Sequence, residues 1–234
     1  MKLVLYSGGQ EPSNRLIHHA LFQLVHPKRN TSMTYIPFCQ DRSEVFFKKA
    51  IKRYQGVGFK RFHCLPVDAP FTQNDLNKAL GSDVIYLAGG NTFYFLQHLR
   101  KSGLIPQLKQ FVERGGILAG LSAGAIILTP TIGTAGPPLP NPDDNDVKLK
   151  NLRALGLVRF EFYPHYTSTP TTNRAILRYS RTTTYPIVAC ADGSGITIND
   201  NQMTFIGNVL IFSGGKKVRL SFEGGHQGGR GIAL

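Results

Sequence analysis

The residues best suited to chemistry form a glycine-rich turn around a serine. The stretch Gly120-Leu121-Ser122-Ala123-Gly124 follows a short apolar segment that begins at Ile117, and the apolar start of a helix comes after it. This is the Gly-x-Ser-x-Gly pattern of a nucleophile elbow, a sharp strand-to-helix turn that projects the serine hydroxyl from the sheet edge. Small flanking residues favour this interpretation because strand and helix cross closely at such a turn. Ser122 is therefore the candidate nucleophile, with a glycine-rich turn that carries no chemistry as the alternative.

A serine nucleophile needs a base, and one of the seven histidines stands where a base is wanted. His165 follows Pro164 at the end of a predicted strand, 158–163, whereas the other six fall on or beside helices, inside a strand or in a glycine-rich tail. The third member of a serine triad is a carboxylate that orients the imidazole. Asp192 comes just after the predicted strand 186–190. His165 and Asp192 are therefore the candidate base and acid, with an Asp-Gly hairpin turn as the alternative at Asp192.

A second glycine-rich turn, 89–93 with the sequence Gly-Gly-Asn-Thr-Phe, follows another predicted strand. Glycines at the carboxyl end of a strand leave backbone N–H groups open to a ligand. The N–H groups of Gly90 and Ala123 could together bind the oxyanion of a tetrahedral intermediate, so these two residues are the candidate oxyanion hole. The alternative is a helix-entry turn capped by Asn91 or Thr92, and both interpretations can hold together.

The elements that must position these residues alternate between strand and helix along the first half of the chain. Continuous apolar strands separated by helices predict an α/β fold with a mostly parallel, doubly wound sheet covered on both faces. In such folds the ligand site lies beyond the carboxyl ends of the strands, where Gly90 and Ser122 both fall. The predicted strands are 3–7, 33–38, 59–65 and 83–87, and the predicted helices between them are 14–25, 43–56 and 72–80.

The C-terminal part of the chain has a different pattern. Short apolar stretches bounded by turn residues predict a run of antiparallel strands at the C-terminal edge of the sheet. These stretches are 196–198, 203–206, 209–212 and 217–222. The last residues, 224–234, contain five glycines and are predicted to form a loose tail. The chain is therefore predicted to be a single domain over 1–223 with a Gly-rich C-terminal tail.

Composition narrows the class of protein further. A chain of 234 residues with 41% hydrophobic residues fits one globular domain. Without a run of about 18 apolar residues or a signal-peptide layout, a cytoplasmic protein with no membrane partner is expected. The three cysteines form no CxxC pair and no metal-ligand spacing, so no metal and no other cofactor is expected. The net charge is +13, but the basic residues are spread along the chain without a nucleic-acid-binding motif, so nucleic acid is disfavoured as a partner.

The chain resembles the serine peptidases of family S51, the dipeptidase E and cyanophycinase group, from the first strand to about residue 222. The motifs that carry the resemblance are Gly89-Gly90-Asn91-Thr92-Phe93, Gly120-Leu121-Ser122-Ala123-Gly124, Pro164-His165-Tyr166 and Asp192-Gly193. The resemblance implies a fold similar to class I glutamine amidotransferases and a catalytic order of Ser, His and Asp or Glu, which maps onto Ser122, His165 and Asp192. Dipeptidase E has a glutamate as the acid, so the shorter Asp192 requires its strand end to lie closer to His165.

The resemblance also bears on the substrate, because it implies an exopeptidase that hydrolyses short peptides through an acyl-enzyme, with a homodimer left open. In dipeptidase E the preference for an N-terminal aspartate resembles a charge-assisted grip by an arginine between the catalytic histidine and the next helix. Here the corresponding connection, 167–173, is rich in hydroxyl residues, and the nearest cation is Arg174. Asn91, Thr167 and Arg174 are the candidate substrate-binding residues, and a strict aspartyl preference is not expected.

Two other classes of protein stay open. An α/β-hydrolase esterase would carry its triad in the order Ser, Asp or Glu, His, and would recruit Asp143, Asp144 or Asp146 from a proline-rich loop. A non-catalytic, amidotransferase-like binding protein, or a nucleic-acid binder that uses the basic surface, would leave Ser122 unreactive. Reaction with a fluorophosphonate separates an enzyme from a binding module.

Overall fold

The fold is built on a main sheet of eight strands and a second sheet of four strands, within the residues that the computed structural model describes: 1–9, 12–25, 30–41, 43–200, 202–219 and 229–230. The strands are β1 (Lys2–Tyr6), β2 (Ser32–Ile36), β3 (Arg61–Cys64), β4 (Val84–Leu87), β5 (Ile117–Leu121), β6 (Glu161–Tyr163), β7 (Ile187–Cys190), β8 (Gly195–Asn199), β9 (Gln202–Ile206), β10 (Val209–Ser213), β11 (Lys216–Arg219) and β12 (Gly229–Arg230). The helices are α1 (Arg15–Leu24), α2 (Ser43–Gln55), α3 (Gln73–Leu80), α4 (Thr92–Lys101), α5 (Leu104–Glu113), α6 (Ala123–Ile127) and α7 (Pro170–Tyr179), and a 3₁₀ turn lies at Gly133–Ala135.

The main sheet has the strand order β12-β9-β8-β1-β5-β4-β2-β3. Its five strands from β1 to β3 in this order are parallel neighbours, and β1 pairs with β5 from Lys2 opposite Ile117 to Tyr6 opposite Leu121. Strand β8 runs antiparallel to β1, and β9 and β12 continue the antiparallel side. The predicted α/β fold, with a mostly parallel sheet and antiparallel strands towards the C-terminus, is confirmed.

The second sheet has the order β11-β10-β7-β6. The last two predicted edge strands, 209–212 and 217–222, correspond to β10 and β11, and residues 220–222 lie outside the described residues. Both strands belong to this sheet rather than to the edge of the main sheet. The physical reason is that β10 is apolar on both faces. Val209 and Ile211 pack in the core beneath the main sheet, whereas Leu210 and Phe212 pack in a separate cluster that includes Ile176 of α7. Between the main sheet and α7 both of these faces are buried.

Helices cover both faces of the main sheet, as the alternating side chains of β1 illustrate. Val4 and Tyr6 belong to an apolar cluster with residues of α1 and α2. Leu3 and Leu5 belong to a second cluster with residues of α3 to α6 and of the second sheet. The layers are therefore α1 and α2, the main sheet, α3 to α6 together with the second sheet, and finally α7.

This layering brings the carboxyl ends of strands from the two sheets together. Ser7, which follows β1, donates a hydrogen bond through its Oγ to the backbone oxygen of Cys190 at the end of β7, at 2.7 Å. The backbone N–H of Ser122, which follows β5, donates to the backbone oxygen of Tyr6 at 3.0 Å. The ends of β1, β5 and β7 therefore meet at one place, which is where the sequence predicts the site.

The C-terminal stretch is described only in part. Gly229–Arg230 pair with β9, and the rest of the predicted tail, 224–234, lies outside the described residues. Among the helices of the described ranges, none combines the length and the apolar character that crossing a bilayer requires.

Candidate active site

The candidate nucleophile lies on the sharp turn between β5 and α6. Ser122 has φ 50° and ψ −110°, a conformation that residues other than glycine rarely adopt and that costs on the order of 1–3 kcal/mol. The turn is held on both sides by the parallel sheet. The N–H of Ser122 donates to the Tyr6 oxygen on β1, and the N–H of Gly124 donates to the Ala88 oxygen after β4 at 3.1 Å. The predicted elbow is therefore present, with Ser122 partly exposed at its tip.

The two glycines of the Gly-x-Ser-x-Gly motif are required by close backbone contacts. A Cβ atom on Gly120 would overlap the backbone of Gly124, and a Cβ atom on Gly124 would overlap the backbone of Leu87 in β4. These contacts exist because α6 turns back directly over β4 and β5. The prediction that strand and helix cross closely at this turn is confirmed.

His165 reaches the elbow from the second sheet. It follows β6 and Pro164, and its Nε2 lies 2.9 Å from Ser122 Oγ. Its Nδ1 lies 2.7 Å from Asp192 Oδ1. An ionised carboxylate can only accept hydrogen bonds, so the proton of the neutral imidazole sits on Nδ1 and Nε2 is free to accept from the serine hydroxyl. This is the tautomer that a general base needs.

Asp192 is positioned by the end of β7. The N–H of Gly193 donates to the Gly8 oxygen at 3.0 Å, which draws the turn after β7 against the end of β1. The shorter aspartate side chain therefore reaches His165 directly. The side chains of His165 and Asp192 are 52% and 54% exposed, so this pair lies at the surface of the site. The thiol of Cys190, at the end of β7, is fully buried, and burial raises its pKa.

The carboxylates that an esterase order would need are placed elsewhere. Asp143 Oδ2 accepts a hydrogen bond from the N–H of Thr92 at the start of α4, at 2.8 Å. Asp144 and Asp146 line a cavity of about 320 Å³ together with Phe38 and Asn91. The carboxylate against the imidazole is Asp192, so the geometry favours the order Ser, His, Asp.

The candidate oxyanion donors, Gly90 and Ala123, lie close to Ser122 in the fold. A Cβ atom on Gly89 would lie 3.5 Å from Ser122 Cβ, so the turn that carries Gly90 runs alongside the serine. Ala123 is the first residue of α6, where a backbone N–H has no partner within the helix. The structure thus brings Gly90 and Ala123 to the nucleophile, and their role as an oxyanion hole stays a prediction.

The three candidate substrate-binding residues differ in their surroundings. Asn91 caps α4 by accepting from the N–H of Tyr94 at 2.9 Å, and its Nδ2 donates to the backbone oxygen of Asp144 at 2.8 Å. Both ends of this side chain are therefore used within the fold, as the capping alternative predicts. Thr167 and Arg174 are exposed, on the connection after His165 and on α7 respectively. Their role in substrate binding stays a prediction.

Sequence reasoning missed two features near the site. Ser7 and Gly8, just after β1, contact His165 and Asp192. The signal in the sequence was the pair Gly8-Gly9 directly after the first predicted strand. Lys217 on β11 donates through Nζ to Tyr166 Oη at 3.1 Å and to Asn173 Oδ1 at 3.2 Å. It adds a second cation near the connection that leads to Arg174.

A serine on a strand-to-helix elbow, in line with a histidine and a carboxylate, is the arrangement typical of serine hydrolases. Comparison with known proteins is more specific, since residues 3–206 match the profile of Peptidase family S51. The chain therefore belongs to peptidase family S51.

Relatives and solved structures agree with this family. The uncharacterized peptidase PM1590 of Pasteurella multocida (strain Pm70) is 30% identical over 187 residues, which cover 77% of this chain and 87% of that protein. Peptidase E of Salmonella arizonae is 28% identical over 243 residues, which cover 97% of this chain and 100% of that protein. A crystal structure of a candidate Peptidase E protein from Listeria monocytogenes EGD-e superposes with a TM-score of 0.63 at 25% identity, over 94% of this chain and 98% of that one. These likenesses support a peptidase.

Proposed function

We propose that this peptidase is of the serine type and hydrolyses short peptides through Ser122, His165 and Asp192. The observation that carries the proposal is the continuous line from Ser122 Oγ to His165 Nε2 at 2.9 Å and from His165 Nδ1 to Asp192 Oδ1 at 2.7 Å. Short peptides as substrates are proposed from the likeness to proteins named Peptidase E.

In the proposed mechanism Ser122 Oγ attacks the carbonyl carbon of the scissile peptide bond. His165 Nε2 takes the hydroxyl proton and returns it to the leaving amine, while Asp192 holds the Nδ1 proton and stabilises the imidazolium. The resulting acyl-enzyme is hydrolysed by a water molecule that His165 activates in the same way. The N–H groups of Gly90 and Ala123 bind the negative oxygen of each tetrahedral intermediate.

We also propose that the enzyme has no strict preference for an N-terminal aspartate. The exposed connection after His165 offers hydroxyl groups at Thr167 and Ser168, which form neutral hydrogen bonds. An ionic, bidentate contact to a carboxylate binds it more strongly than neutral hydrogen bonds do. Without such a contact, the preference for an acidic over a neutral N-terminal residue is smaller by about 1.5–3 kcal/mol, roughly ten- to a hundredfold. The net charge of +13 attracts acidic substrates in general, but this attraction is screened by salt.

The proposed function is tested by replacing the nucleophile. We expect Ser122→Ala to lower kcat for dipeptides such as Ala-Leu by more than about a thousandfold while the thermal melting curve stays close to that of the wild type. Ser213→Ala is the matched control, because Ser213 is an exposed serine at the end of β10. A Ser122→Ala variant that kept more than about a thousandth of the wild-type kcat would show that the nucleophile is a different residue.

A further inference from the structure

The end of β1 contacts both halves of the site. The Tyr6 oxygen accepts from the N–H of Ser122 at 3.0 Å, which ties β1 to the nucleophile. The next residue, Ser7, accepts through Oγ from the N–H of His165 at 2.8 Å. The same Oγ donates to the backbone oxygen of Cys190 at 2.7 Å. One buried hydroxyl of the main sheet therefore joins both strands of the second sheet that lead to the histidine and the aspartate.

The hydrogen bond from the His165 N–H to Ser7 stabilises an unfavourable backbone conformation at His165. His165 has φ 54°, in the left-handed region, where a residue with a side chain needs support from its surroundings. Ser7 is fully buried, and its hydroxyl is held by a second hydrogen bond to the Cys190 oxygen. If the hydroxyl were removed, the N–H of His165 would lose this partner, and the backbone would be free to relax away from Ser122.

Gly8 lies directly against the side chains of His165 and Asp192. A Cβ atom on Gly8 would overlap Cε1 and Nδ1 of His165 and Oδ1 of Asp192. The imidazole and the carboxylate therefore lie directly on the Gly8 backbone, at the point where they bond to each other. Any side chain at this position would push the pair outward.

We propose that Ser7 and Gly8 are positioning residues that fix His165 and Asp192 against Ser122 across the two sheets. This inference rests on the proposed function. Neither residue touches substrate: Ser7 acts through the backbone of His165, and Gly8 acts by leaving room for the two side chains. The alternative is that Ser7 is an ordinary buried hydroxyl whose loss affects only the stability of the fold.

A matched pair of variants separates these two roles. Ser32 is a buried serine at the opposite end of the main sheet, where its Oγ donates to Asp83 Oδ2 at 2.9 Å and accepts from the Asp83 N–H at 3.1 Å. We expect Ser7→Ala to lower kcat about ten- to a hundredfold with KM changed less than about threefold, since one buried hydrogen bond to the base is lost. Ser32→Ala should lower stability similarly and leave kcat within about threefold of the wild type.

Gly8→Ala keeps the inference testable if Ser7→Ala fails to fold. The φ of Gly8 is not in the left-handed region, so alanine is compatible with its backbone. We expect kcat to fall at least about a hundredfold, because the imidazole is displaced from Ser122. A kcat for Gly8→Ala, or for a folded Ser7→Ala, within about threefold of the wild type overturns the inference.

An NMR measurement distinguishes failure of this inference from failure of the proposed function. The Nδ1 proton resonance of His165 is identified by its loss in Asp192→Asn, and it reports the histidine–aspartate bond without any substrate. We expect Ser7→Ala and Gly8→Ala to shift or broaden this resonance and Ser32→Ala to leave it unchanged. If the resonance moves but the wild type hydrolyses no peptide, the proposed function fails alone. If the wild type is active and the resonance is unchanged in both variants, this inference fails alone.

Discussion

The nucleophile half and the histidine–aspartate half of the site are built differently. Ser122 lies on the turn between β5 and α6, and the two glycines of that turn are buried against neighbouring backbone. His165 and Asp192 come from loops after two strands of the second sheet, with side chains that are about half exposed. The elbow is thus fixed by direct backbone packing against β4 and β5. The other half is fixed by hydrogen bonds between loops that lie far apart in the sequence.

This difference predicts different consequences of substitution. A side chain added at Gly120 or Gly124 disturbs the packing of β4, β5 and α6, so stability and activity should fall together. A change in the histidine–aspartate half alters exposed side chains, so activity should fall while stability is kept.

The largest effect is expected for Asp192→Asn, which removes the charge of the carboxylate in the histidine–aspartate half and keeps the shape of the side chain. The asparagine amide can donate to Nδ1 and so stabilise the imidazole tautomer with the proton on Nε2, which cannot accept from Ser122 Oγ. We expect kcat to fall on the order of 10³ to 10⁴ with a melting temperature close to that of the wild type. Steady-state kinetics and thermal melting measure the two quantities on the same sample.

Asparagine at Asp143, Asp144 or Asp146 is the matched control for this substitution. We expect each of these variants to lower kcat much less, since Asp143 accepts from the N–H of Thr92 and the carboxylate that contacts His165 is Asp192. A reversed ranking would move the assignment of the acid to the proline-rich loop and favour the esterase order.

A smaller effect, on both stability and activity, is expected for Gly124→Ala in the elbow. The added Cβ overlaps the backbone of Leu87, so the strand or the helix must shift. We expect the free energy of unfolding to fall by about 1–3 kcal/mol, with a parallel loss of activity. Chemical denaturation measures the first and peptide hydrolysis the second.

The control for Gly124→Ala is Gly56→Ala, at an exposed glycine after α2 whose added Cβ would meet the Arg53 oxygen at an ordinary 3.4 Å. It should leave both quantities nearly unchanged. An unaltered free energy of unfolding for Gly124→Ala would mean that the elbow is not held by packing, and the contrast between the two halves would disappear.

The smallest effect is expected for substrate charge, which concerns the exposed half alone. We expect kcat/KM for Asp-Leu to exceed the values for Ala-Leu, Ser-Leu and Met-Leu by less than about tenfold at moderate ionic strength, because general attraction by the basic protein is screened. Arg174→Gln, with Arg178→Gln one turn further along α7 as its control, tests for a specific cation. A preference above about a hundredfold that resists salt and disappears in Arg174→Gln would contradict this expectation.

The two halves also differ in how far the sequence predicted them. The elbow follows from five consecutive residues that form a recognisable Gly-x-Ser-x-Gly pattern. His165 and Asp192 were recognised only because each follows an apolar strand. The hydrogen bond from His165 to Ser7 joins residues 158 positions apart, so it leaves no local pattern to find.

The architecture was predictable to a similar degree. Hydrophobic periodicity identified the strands and helices of the first half of the chain. Their alternation predicted the parallel sheet. The sequence indicated strands at the positions of β10 and β11, but periodicity does not specify which sheet a strand joins. Helix α5 was not predicted. It contains Pro106 in its first turn, a position where the missing N–H of proline costs nothing.

The most direct test of the account is site-resolved labelling with a fluorophosphonate, followed by peptide mass spectrometry. The account predicts one adduct, on Ser122 of the wild type, formed much more slowly in His165→Ala and absent in Ser122→Ala. It would be contradicted by a folded wild-type protein that forms no adduct, or by an adduct on another residue that persists in Ser122→Ala.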